Sequence, residues 1–217
     1  MMKISSKILV GVTQRVDNVE AYNEIRDALD QKIIQLLNHA GFLPVPVPNT
    51  MINVDNAKQS TEQPMLDNWL QVIQPSALVL SGGNDIGKCV ERDTTERYLL
   101  DWAKAKRLPV LGICRGLQMM VVWAGANLIK VEGHVRTRHF LDVLNKNNVF
   151  PDSVNSFHNL GLTSCPDGFQ VLARSEDGVI EAIRHNELPW EGWMWHPERE
   201  AHFSPHDIRR LKVLFGS

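Results

Sequence analysis

The sequence predicts an α/β fold in which a mostly parallel sheet is flanked by helices. Short apolar runs of strand length, such as Ala77–Leu80 and Val110–Ile113, alternate with longer segments whose apolar residues recur at helical spacing. Hydrophobic residues make up 43% of the chain and charged residues 22%, which is enough apolar side chain for a packed core. Because 217 residues fit one ordinary α/β domain, we expect a single domain over residues 1–217.

The first half of the chain has a βαβα rhythm. A buried-strand run at Ile8–Thr13 is followed by apolar residues at helical spacing from Ile25 to Ala40, and Gly41 ends that predicted helix. Phe42–Pro48 interleaves proline with Leu and Val, which favours an edge strand because proline cannot donate to a central ladder. The further predictions for this half are a loop over 49–63, a helix at Leu66–Ile73, a strand at Ala77–Leu80 and a tight loop at Ser81–Asn84.

The second half begins with a helix and then turns to short strands. Asp93-Thr-Thr-Glu96 has the spacing of a capping box, which predicts a helix that begins there. Ser204-Pro205 combines an N-cap residue with proline at the first helical position, so it predicts a last helix. The strands predicted between them are Val110–Ile113, Leu128–Val131, Phe140–Leu144, Gln170–Ala173, Val179–Arg184 and Trp193–Trp195. In such a sheet, ligands are expected at the carboxyl ends of the strands.

Charge and composition exclude several classes of protein. The 23 Lys and Arg against 25 Asp and Glu give a net charge of −2, so no basic field exists to hold nucleic acid or an anionic membrane. The longest apolar stretch, Met119–Ala126, is far short of the ~18 residues that a membrane span needs. Cys89, Cys114 and Cys165 are an odd number in dissimilar contexts, which favours a reducing cytoplasm over a disulfide framework.

Two motifs carry the chemistry. In Gly112-Ile-Cys-Arg-Gly116, glycines two positions before and after Cys114 relieve crowding in a sharp strand-to-helix turn, the nucleophile elbow. The thiol then lies at a helix N-terminus, where the dipole favours the thiolate. Trp195-His-Pro-Glu198 ends a predicted strand, and residues two apart can share a side, so a carboxylate can orient the imidazole. The order Cys, His, Glu favours a triad over the alternative, a buried cysteine between packing glycines.

Together these motifs resemble the class I glutamine amidotransferase family, which has a flavodoxin-like sheet and a Cys-His-Glu triad. Within that fold, the elbow motif and Asn155-Ser-Phe-His158 are similar to the γ-glutamyl hydrolase branch. Gly11-Val-Thr-Gln-Arg15 and Met194-Trp-His-Pro-Glu-Arg-Glu200 are similar to the γ-glutamyl-CDP-amidate hydrolases of bacterial capsule phosphoramidate synthesis. The four motifs matched to the family are Leu80–Asn84, Gly112–Gln118, Val154–His158 and Trp195–Glu198.

The resemblance implies a role for each residue of the triad. Cys114 attacks a γ-glutamyl carbonyl, His196 passes the proton to the leaving nitrogen and Glu198 holds His196. A thioester results, and water cleaves it. The family's oxyanion hole maps onto the backbone N–H groups of Gly83 and Arg115, and no cofactor is implied.

Further residues are candidates for substrate binding. Gln118, one helical turn past Cys114, matches the family position that binds the glutamyl α-amino or α-carboxylate group; a glutamine on the helix surface is the alternative. Ser156, Phe157 and His158 match a segment whose backbone closes over the glutamyl group, so we expect them to line the site. For His158, a histidine packed within the loop is an equal alternative.

Other polar residues have both a functional and a structural interpretation. Arg15 and Arg26, with Tyr22 between them, follow the carboxyl end of the first strand, where arginine suits a pyrophosphate; helix-surface ion pairs are the alternative. Arg92 and Asp93 could touch substrate, but the capping-box spacing favours a structural cap for Asp93.

A basic segment further along the chain also has two interpretations. His134 and His139, with Arg136 and Arg138 between them, could form a metal or phosphate site. A His spacing of five matches no common motif, however, so a solvated basic turn is favoured and no metal site is predicted.

The predicted activity is hydrolysis of a γ-glutamyl amide, specifically of γ-glutamyl-CDP-amidate to glutamate and cytidine diphosphoramidate in capsule biosynthesis. One alternative is a glutaminase subunit that delivers ammonia to a synthase partner. Another is a generic hydrolase of γ-glutamyl amines such as γ-glutamyl-aminobutyrate. We expect a small-molecule γ-glutamyl amide as the partner, with neither nucleic acid nor membrane, and the sequence leaves a homo-oligomer open.

Overall fold

A computed structural model describes residues 8–52, 65–145 and 149–216. In chain order the strands are β1 (Leu9–Thr13), β2 (Arg15–Val19), β3 (Glu24–Ala28), β4 (Leu43–Val47), β5 (Ala77–Leu80), β6 (Val110–Ile113), β7 (Ile129–Lys130), β8 (Val135–Phe140), β9 (Asp142–Val143), β10 (Ser153–Phe157), β11 (Leu160–Gly161), β12 (Phe169–Arg174), β13 (Ile180–His185) and β14 (Trp190–Trp193). The helices are α1 (Gln31–His39), α2 (Met65–Ile73), α3 (Val90–Lys106), α4 (Arg115–Trp123) and α5 (Pro205–Phe215).

Eight of these strands form one central sheet in the order β4-β1-β5-β6-β14-β13-β12-β9. The five strands from β4 to β14 are parallel, and β13, β12 and β9 continue the sheet antiparallel. The carboxyl ends of β1, β5, β6 and β14 therefore lie along one edge. The predicted α/β fold with a mostly parallel sheet is confirmed, and the proline-containing β4 is an edge strand, as expected.

Helices cover both faces of the sheet because its central strands are apolar on both sides. Neighbouring residues of β5 point to opposite cores, with Val79 packed in one and Leu78 in the other. The core around Val79 includes side chains of α1 and α5, and the core around Leu78 includes side chains of α2, α3 and α4. In the part of the chain that the structure describes, no helix is long and apolar enough to span a membrane.

The segment after β1 differs from the prediction. Residues expected to start a helix instead form the hairpin β2–β3, whose register pairs Asp17 with Arg26, and Ile25 on it is 80% exposed. The turn contains Asn23 in the left-handed region, with φ 51°. The helix begins only after Asp30, whose side chain accepts from the N–H of Lys32. Ile25 has helical spacing from the apolar residues of α1, but it lies on a strand and does not belong to the helix.

Several other element bounds also shift. The helix predicted to begin at Asp93 begins at Val90, so the capping-box interpretation of Asp93 is wrong. The last predicted strand lies earlier, at Trp190–Trp193, and the segment expected at Phe140–Leu144 is divided between β8 and β9. Most of the predicted loop over 49–63 lies outside the described residues. The start of α5 is confirmed, because Ser204 caps it and Pro205 follows.

Candidate active site

Cys114 lies in a tight turn between β6 and α4. It is the N-cap residue of α4, with φ 50° and ψ −103°, a conformation that non-glycine residues rarely adopt. The turn requires glycine on both sides: a Cβ on Gly112 would approach the Gly116 carbonyl carbon to 2.5 Å, and one on Gly116 would approach the Leu80 oxygen to 2.1 Å. The predicted elbow geometry is therefore present. It brings the thiol to the edge where β1, β5 and β14 end.

His196 follows β14 and lies beside both Cys114 and Glu198. Its Nδ1 is 2.6 Å from Oε1 of Glu198, and all three side chains are buried. Burial alone would lower the pKa of His196, but hydrogen bonds with Cys114 and Glu198 outweigh it and raise the pKa to about 9. With Nδ1 on Glu198, Nε2 is the nitrogen left for Cys114. The arrangement can hold a thiolate beside an imidazolium.

Asn155 of β10 holds the backbone of His196, a contact that the sequence did not predict. Its Nδ2 donates to the His196 carbonyl at 2.8 Å, and its Oδ1 accepts from the His196 N–H at 3.0 Å. The Phe157 ring lies edge-on to the imidazole with centroids 5.8 Å apart. The signal was present, since both residues belong to the Asn155–His158 motif, but nothing local links that motif to position 196.

The loop after β5 forms the opposite wall. Gly83, with φ 135°, lines the cleft with Cys114 and His196, and a Cβ there would come within 2.8 Å of the Arg15 Cβ. A Cβ on Gly82 would lie 2.5 Å from Cε1 of His196, so only glycines allow the loop this close. Arg115 is the first residue of α4, and its N–H therefore has no partner within the helix.

A buried ionic network braces this wall. Arg92 on α3 pairs with Glu96 at 3.0 Å and donates to the carbonyls of Ser81 and Gly82 at 2.7 and 3.0 Å. Glu96 also pairs with the Arg115 side chain and accepts from Thr13 at 2.8 Å. Burial would raise the pKa of Glu96, but the two arginines lower it. Arg92 is completely buried and its guanidinium is bonded to the loop, so the structure favours a structural role for it over contact with substrate.

An open cleft of about 340 Å³ surrounds these groups. Two cationic side chains border it, Arg15 and Arg199, and the latter stacks over Phe157 at 4.8 Å. Sequence reasoning missed Arg199, although it directly follows the His-Pro-Glu motif. Arg26 is not among the residues that line this cleft; it is half exposed on β3 and paired with Glu24. The cleft is lined by Arg15, Gly83, Asn84, Asp85, Cys114, Phe157, His196 and Arg199.

Three further candidates for substrate binding, Gln118, Ser156 and His158, have buried side chains that do not line the cleft. Gln118 is 4% exposed, so it is not a helix-surface residue, and its Nε2 donates to the Leu160 carbonyl at 2.9 Å. The Ser156 hydroxyl donates to the His134 carbonyl at 2.7 Å. His158 faces His134 with ring nitrogens 3.3 Å apart. Of the Ser156–His158 segment, the structure brings Phe157 to the cleft and packs the other two side chains inside.

The basic turn expected around His134 is wrong, because Val135–Phe140 form strand β8. Arg136 and Arg138 are exposed, as a solvated segment requires, but His134 is only 1% exposed and His139 is half-buried. The two histidines therefore lie inside the fold, next to His158.

An elbow cysteine beside a buried His–Glu pair, at the carboxyl edge of a parallel sheet, defines a class of α/β enzyme with a nucleophile at a strand-to-helix turn. The chain belongs to the class I glutamine amidotransferase family, whose sequence profile, described as "Glutamine amidotransferase class-I", matches residues 13–215. It is therefore an enzyme of a family that acts on amide bonds. A glutamine amidotransferase structure from Thermotoga maritima shares the fold, with a TM-score of 0.62 at 19% identity over 95% of this chain and 83% of that one.

Three similar proteins are of two kinds. The chain is 28% identical to the γ-glutamyl-CDP-amidate hydrolase of Campylobacter jejuni over 96% of this chain and 98% of that protein. It is 27% identical to the γ-glutamyl-γ-aminobutyrate hydrolase of Escherichia coli over 91% and 88% of the two chains. It is 32% identical to a subunit of the glutamine-hydrolysing GMP synthase of Methanothrix thermoacetophila over 77% and 88%. The first two are hydrolases and the third belongs to a synthase.

Proposed function

We propose that this protein hydrolyses γ-glutamyl amides, with Cys114 as the nucleophile, His196 as the acid and base, and Glu198 as its orienter. The observation that supports the proposal most directly is that His196 contacts Cys114 on one side and Glu198 on the other, the latter through a 2.6 Å hydrogen bond. The elbow presents the thiol at the cleft, and the order of the groups is that of a nucleophile, a base and an orienting carboxylate.

The reaction runs in two balanced steps. The thiolate of Cys114 attacks the γ-carbonyl carbon, the C–N bond breaks, and His196 gives its proton to the leaving nitrogen. Water, deprotonated by His196, then attacks the thioester, the C–S bond breaks, and glutamate is released, which restores the Cys114 thiolate beside protonated His196. In this proposal the N–H groups of Gly83 and Arg115 receive the oxyanion in both steps, and one such donor contributes about 3 kcal/mol to transition-state stabilisation.

The finer proposal is that the substrate is γ-glutamyl-CDP-amidate, split into glutamate and cytidine diphosphoramidate in the cytoplasm during capsule synthesis. It is supported by the near full-length similarity to the Campylobacter jejuni hydrolase and by the cations at the cleft. Guanidinium groups suit phosphate oxygens, and Arg15 and Arg199 flank the reactive groups. All three cysteines are free, which fits a reducing compartment. A glutaminase subunit of a synthase is the second candidate, favoured by the archaeal relative.

The deciding experiment measures kcat/KM of the purified chain, with no partner added, for γ-glutamyl-CDP-amidate, γ-glutamyl-aminobutyrate and glutamine. We expect glutamate release from the nucleotide substrate, preferred at least tenfold, and none from Cys114→Ala. Arg15→Ala should raise KM for the nucleotide substrate while leaving the small amides little changed, because only the nucleotide presents phosphate oxygens. Arg199 also lies 3.7 Å from the Glu198 carboxylate, so Arg199→Ala should raise KM for the nucleotide substrate and lower kcat for all three substrates.

Arg209→Ala is the matched control, since Arg209 is exposed on α5 outside the cleft lining. A preference below tenfold would leave a generic γ-glutamyl amide hydrolase and remove the nucleotide substrate. Turnover that appears only after a synthase is added would favour the glutaminase subunit. Full activity in Cys114→Ala would contradict the mechanism itself.

A further inference from the structure

Three histidines and one glutamate meet in the interior, away from the cleft lining. His134 directly precedes β8, and His139 lies on β8. His158 directly follows β10, and Glu181 lies on β13. The ligand-type atoms of these four side chains all lie within 4.8 Å of one another. His134, His158 and Glu181 are almost fully buried, and His139 is half-buried. Neither the proposed catalytic steps nor the substrate contacts use any of them.

The distances within this cluster are those of ligands around one ion. His134 Nδ1 lies 3.3 Å from His158 Nε2, and both nitrogens lie 3.5 Å from Glu181 Oε1. Zinc bonds of ~2.0–2.1 Å in a tetrahedron place neighbouring ligand atoms about 3.3–3.4 Å apart. These three ligand atoms therefore already have the mutual spacing of three ligands in a tetrahedral zinc site. His139 supplies the fourth, since its ring lies 4.2 Å from that of His134 and its Nε2 has no hydrogen-bond partner among the described residues.

In His134 and His158, one ring nitrogen faces the cluster (the inner nitrogen) and the other faces away from it (the outer nitrogen). The hydrogen bond of each outer nitrogen decides whether the inner nitrogen carries a lone pair. His158 Nδ1 lies 3.1 Å from the Leu160 carbonyl, which can only accept, so that nitrogen holds the proton. His134 Nε2 likewise lies 2.9 Å from the Asp177 carboxylate. In neutral rings, the two inner nitrogens then face each other as bare lone pairs beside an anionic Glu181. This pattern of outer acceptors and inner lone pairs is how proteins orient histidines on a metal.

Charge leads to the same requirement. Glu181 is fully buried, and within the described ranges its carboxylate contacts only His134 and His158, both at 3.5 Å, which is longer than a good charge-assisted hydrogen bond. A buried carboxylate is costly unless it is closely paired with opposite charge. A divalent cation would balance Glu181 together with the outer carboxylate of Asp177, and it would satisfy the unpartnered His139 nitrogen at the same time.

We propose that His134, His139, His158 and Glu181 form a closed zinc site. Four protein ligands leave no open position, so the ion holds structure and does not activate water. It would tie β8, β10 and β13 together directly behind Phe157, the residue of β10 that lines the cleft and contacts His196. The site is independent of the proposed function, because a zinc-bound brace would serve any reaction in this cleft.

Metal content and cobalt spectroscopy test the proposal. The full chain, purified without chelators and with any affinity tag removed, should contain one zinc per chain by elemental analysis. Chelator should remove the ion and lower Tm, and one equivalent of zinc should restore it. Cobalt added to the metal-free protein should give the intense visible absorption of four-coordinate Co²⁺, which six-coordinate Co²⁺ lacks.

Variants separate this site from surface binding. Glu181→Gln and His139→Ala each remove one ligand and should lose stoichiometric zinc; His139 is half-buried, so this variant is the safer one for folding. Asp177→Asn should weaken zinc affinity about 10- to 100-fold, as expected for a group that orients a ligand. His202→Ala, an exposed histidine outside the cluster, should keep full zinc content.

Two outcomes would overturn the proposal. One is wild-type protein that contains no zinc and whose metal-free form shows no four-coordinate cobalt spectrum, which would leave a buried imidazolium–carboxylate cluster. The other is unchanged zinc content in both ligand variants, which would place the ion elsewhere.

Discussion

At the scale of single residues, the reactivity of His196 is set by the groups that touch it. Glu198 holds Nδ1, Asn155 holds the backbone on both sides, and Phe157 covers one edge of the ring. These contacts leave the imidazole one orientation, toward Cys114. An orienter of this kind keeps the imidazole in the correct tautomer and stabilises the imidazolium.

Glu198→Gln should shift the pH dependence of the reaction. The hydrogen bonds that raise the pKa of His196 to about 9 keep its proton in place at neutral pH. A neutral amide removes the charge and weakens the bond, so the pKa falls. The alkaline limb of kcat/KM should then move to lower pH and kcat should drop by about 10²-fold or more. A pH–rate profile, with ¹⁵N NMR of labelled histidine, measures both effects.

Glu176→Gln is the control for that experiment, since Glu176 is exposed and far along the chain from the cleft residues. An alkaline limb that stays in its wild-type position in Glu198→Gln would mean that Glu198 does not act on His196.

Site residues could be predicted from the sequence where their partners lie close in the chain or within the same motif. His196 and Glu198 belong to one motif, and the glycines around Cys114 reveal the turn. Arg199 and Asn155 were missed because their importance depends on contacts between distant segments. Arg26 was misassigned for a related reason, since the hairpin that carries it was predicted as helix.

At the scale of elements, the catalytic wall depends on how α3 meets α4 and the loop after β5. Glu96 on α3 forms ion pairs with both Arg92 and Arg115, the residue after Cys114. Arg92 in turn donates hydrogen bonds to the carbonyls of the loop after β5. The start of α3 at Val90 makes this possible. Asp93 then lies within the helix, where it accepts from the Gly87 N–H at 2.6 Å and pairs with Arg115.

Glu96→Gln should therefore destabilise the protein and impair the site together. Removing the carboxylate leaves two buried guanidinium groups without their shared anion, which costs about 3–5 kcal/mol in the free energy of unfolding. The loop that carries Gly83 loses its brace, so kcat should fall as well. Urea unfolding and steady-state kinetics measure the two effects. Glu91→Gln, an exposed glutamate on the same helix, should change neither, and a loss below about 1 kcal/mol in Glu96→Gln would contradict the network's role.

Helix and strand predictions failed where local periodicity competes with tertiary contacts. The Asn84 side chain accepts from the Val16 N–H through Oδ1 and donates to the Val16 carbonyl through Nδ2, both at 2.8 Å, and so holds β2 against the loop after β5. Nothing in the spacing of Ile25 reveals that contact. The start of α3 was misplaced because Asp93 pairs with Arg115, a residue 22 positions away.

At the scale of the whole molecule, the sheet was the most predictable feature. β1, β5 and β6 are apolar on both faces, a pattern that a parallel sheet covered by helices requires. The antiparallel part is made of shorter, mixed strands, and its order could not be inferred from periodicity. The histidine cluster is the extreme case, because its four side chains come from three separate segments and form no local motif.

The stability of the fold should also depend on pH through one buried acid in α5. Burial raises the pKa of Asp207 to about 7, well above the 3.8 of an exposed aspartate, and its Oδ1 has no hydrogen-bond partner among the described residues. The folded state thus holds a proton that the unfolded state releases, so the free energy of unfolding falls as pH rises from about 4 to 7 and is level above that.

Asp207→Asn keeps the shape of the protonated acid and removes this loss. The variant should match wild type near pH 4 and exceed its free energy of unfolding by about 2–4 kcal/mol above pH 7. Urea unfolding at a series of pH values between 4.5 and 8 measures the difference, and Asp167→Asn, at an exposed position, should show no such divergence. A constant gap across this range would show that Asp207 is ionised in the folded protein throughout, and that its burial is compensated by neighbours such as Arg210.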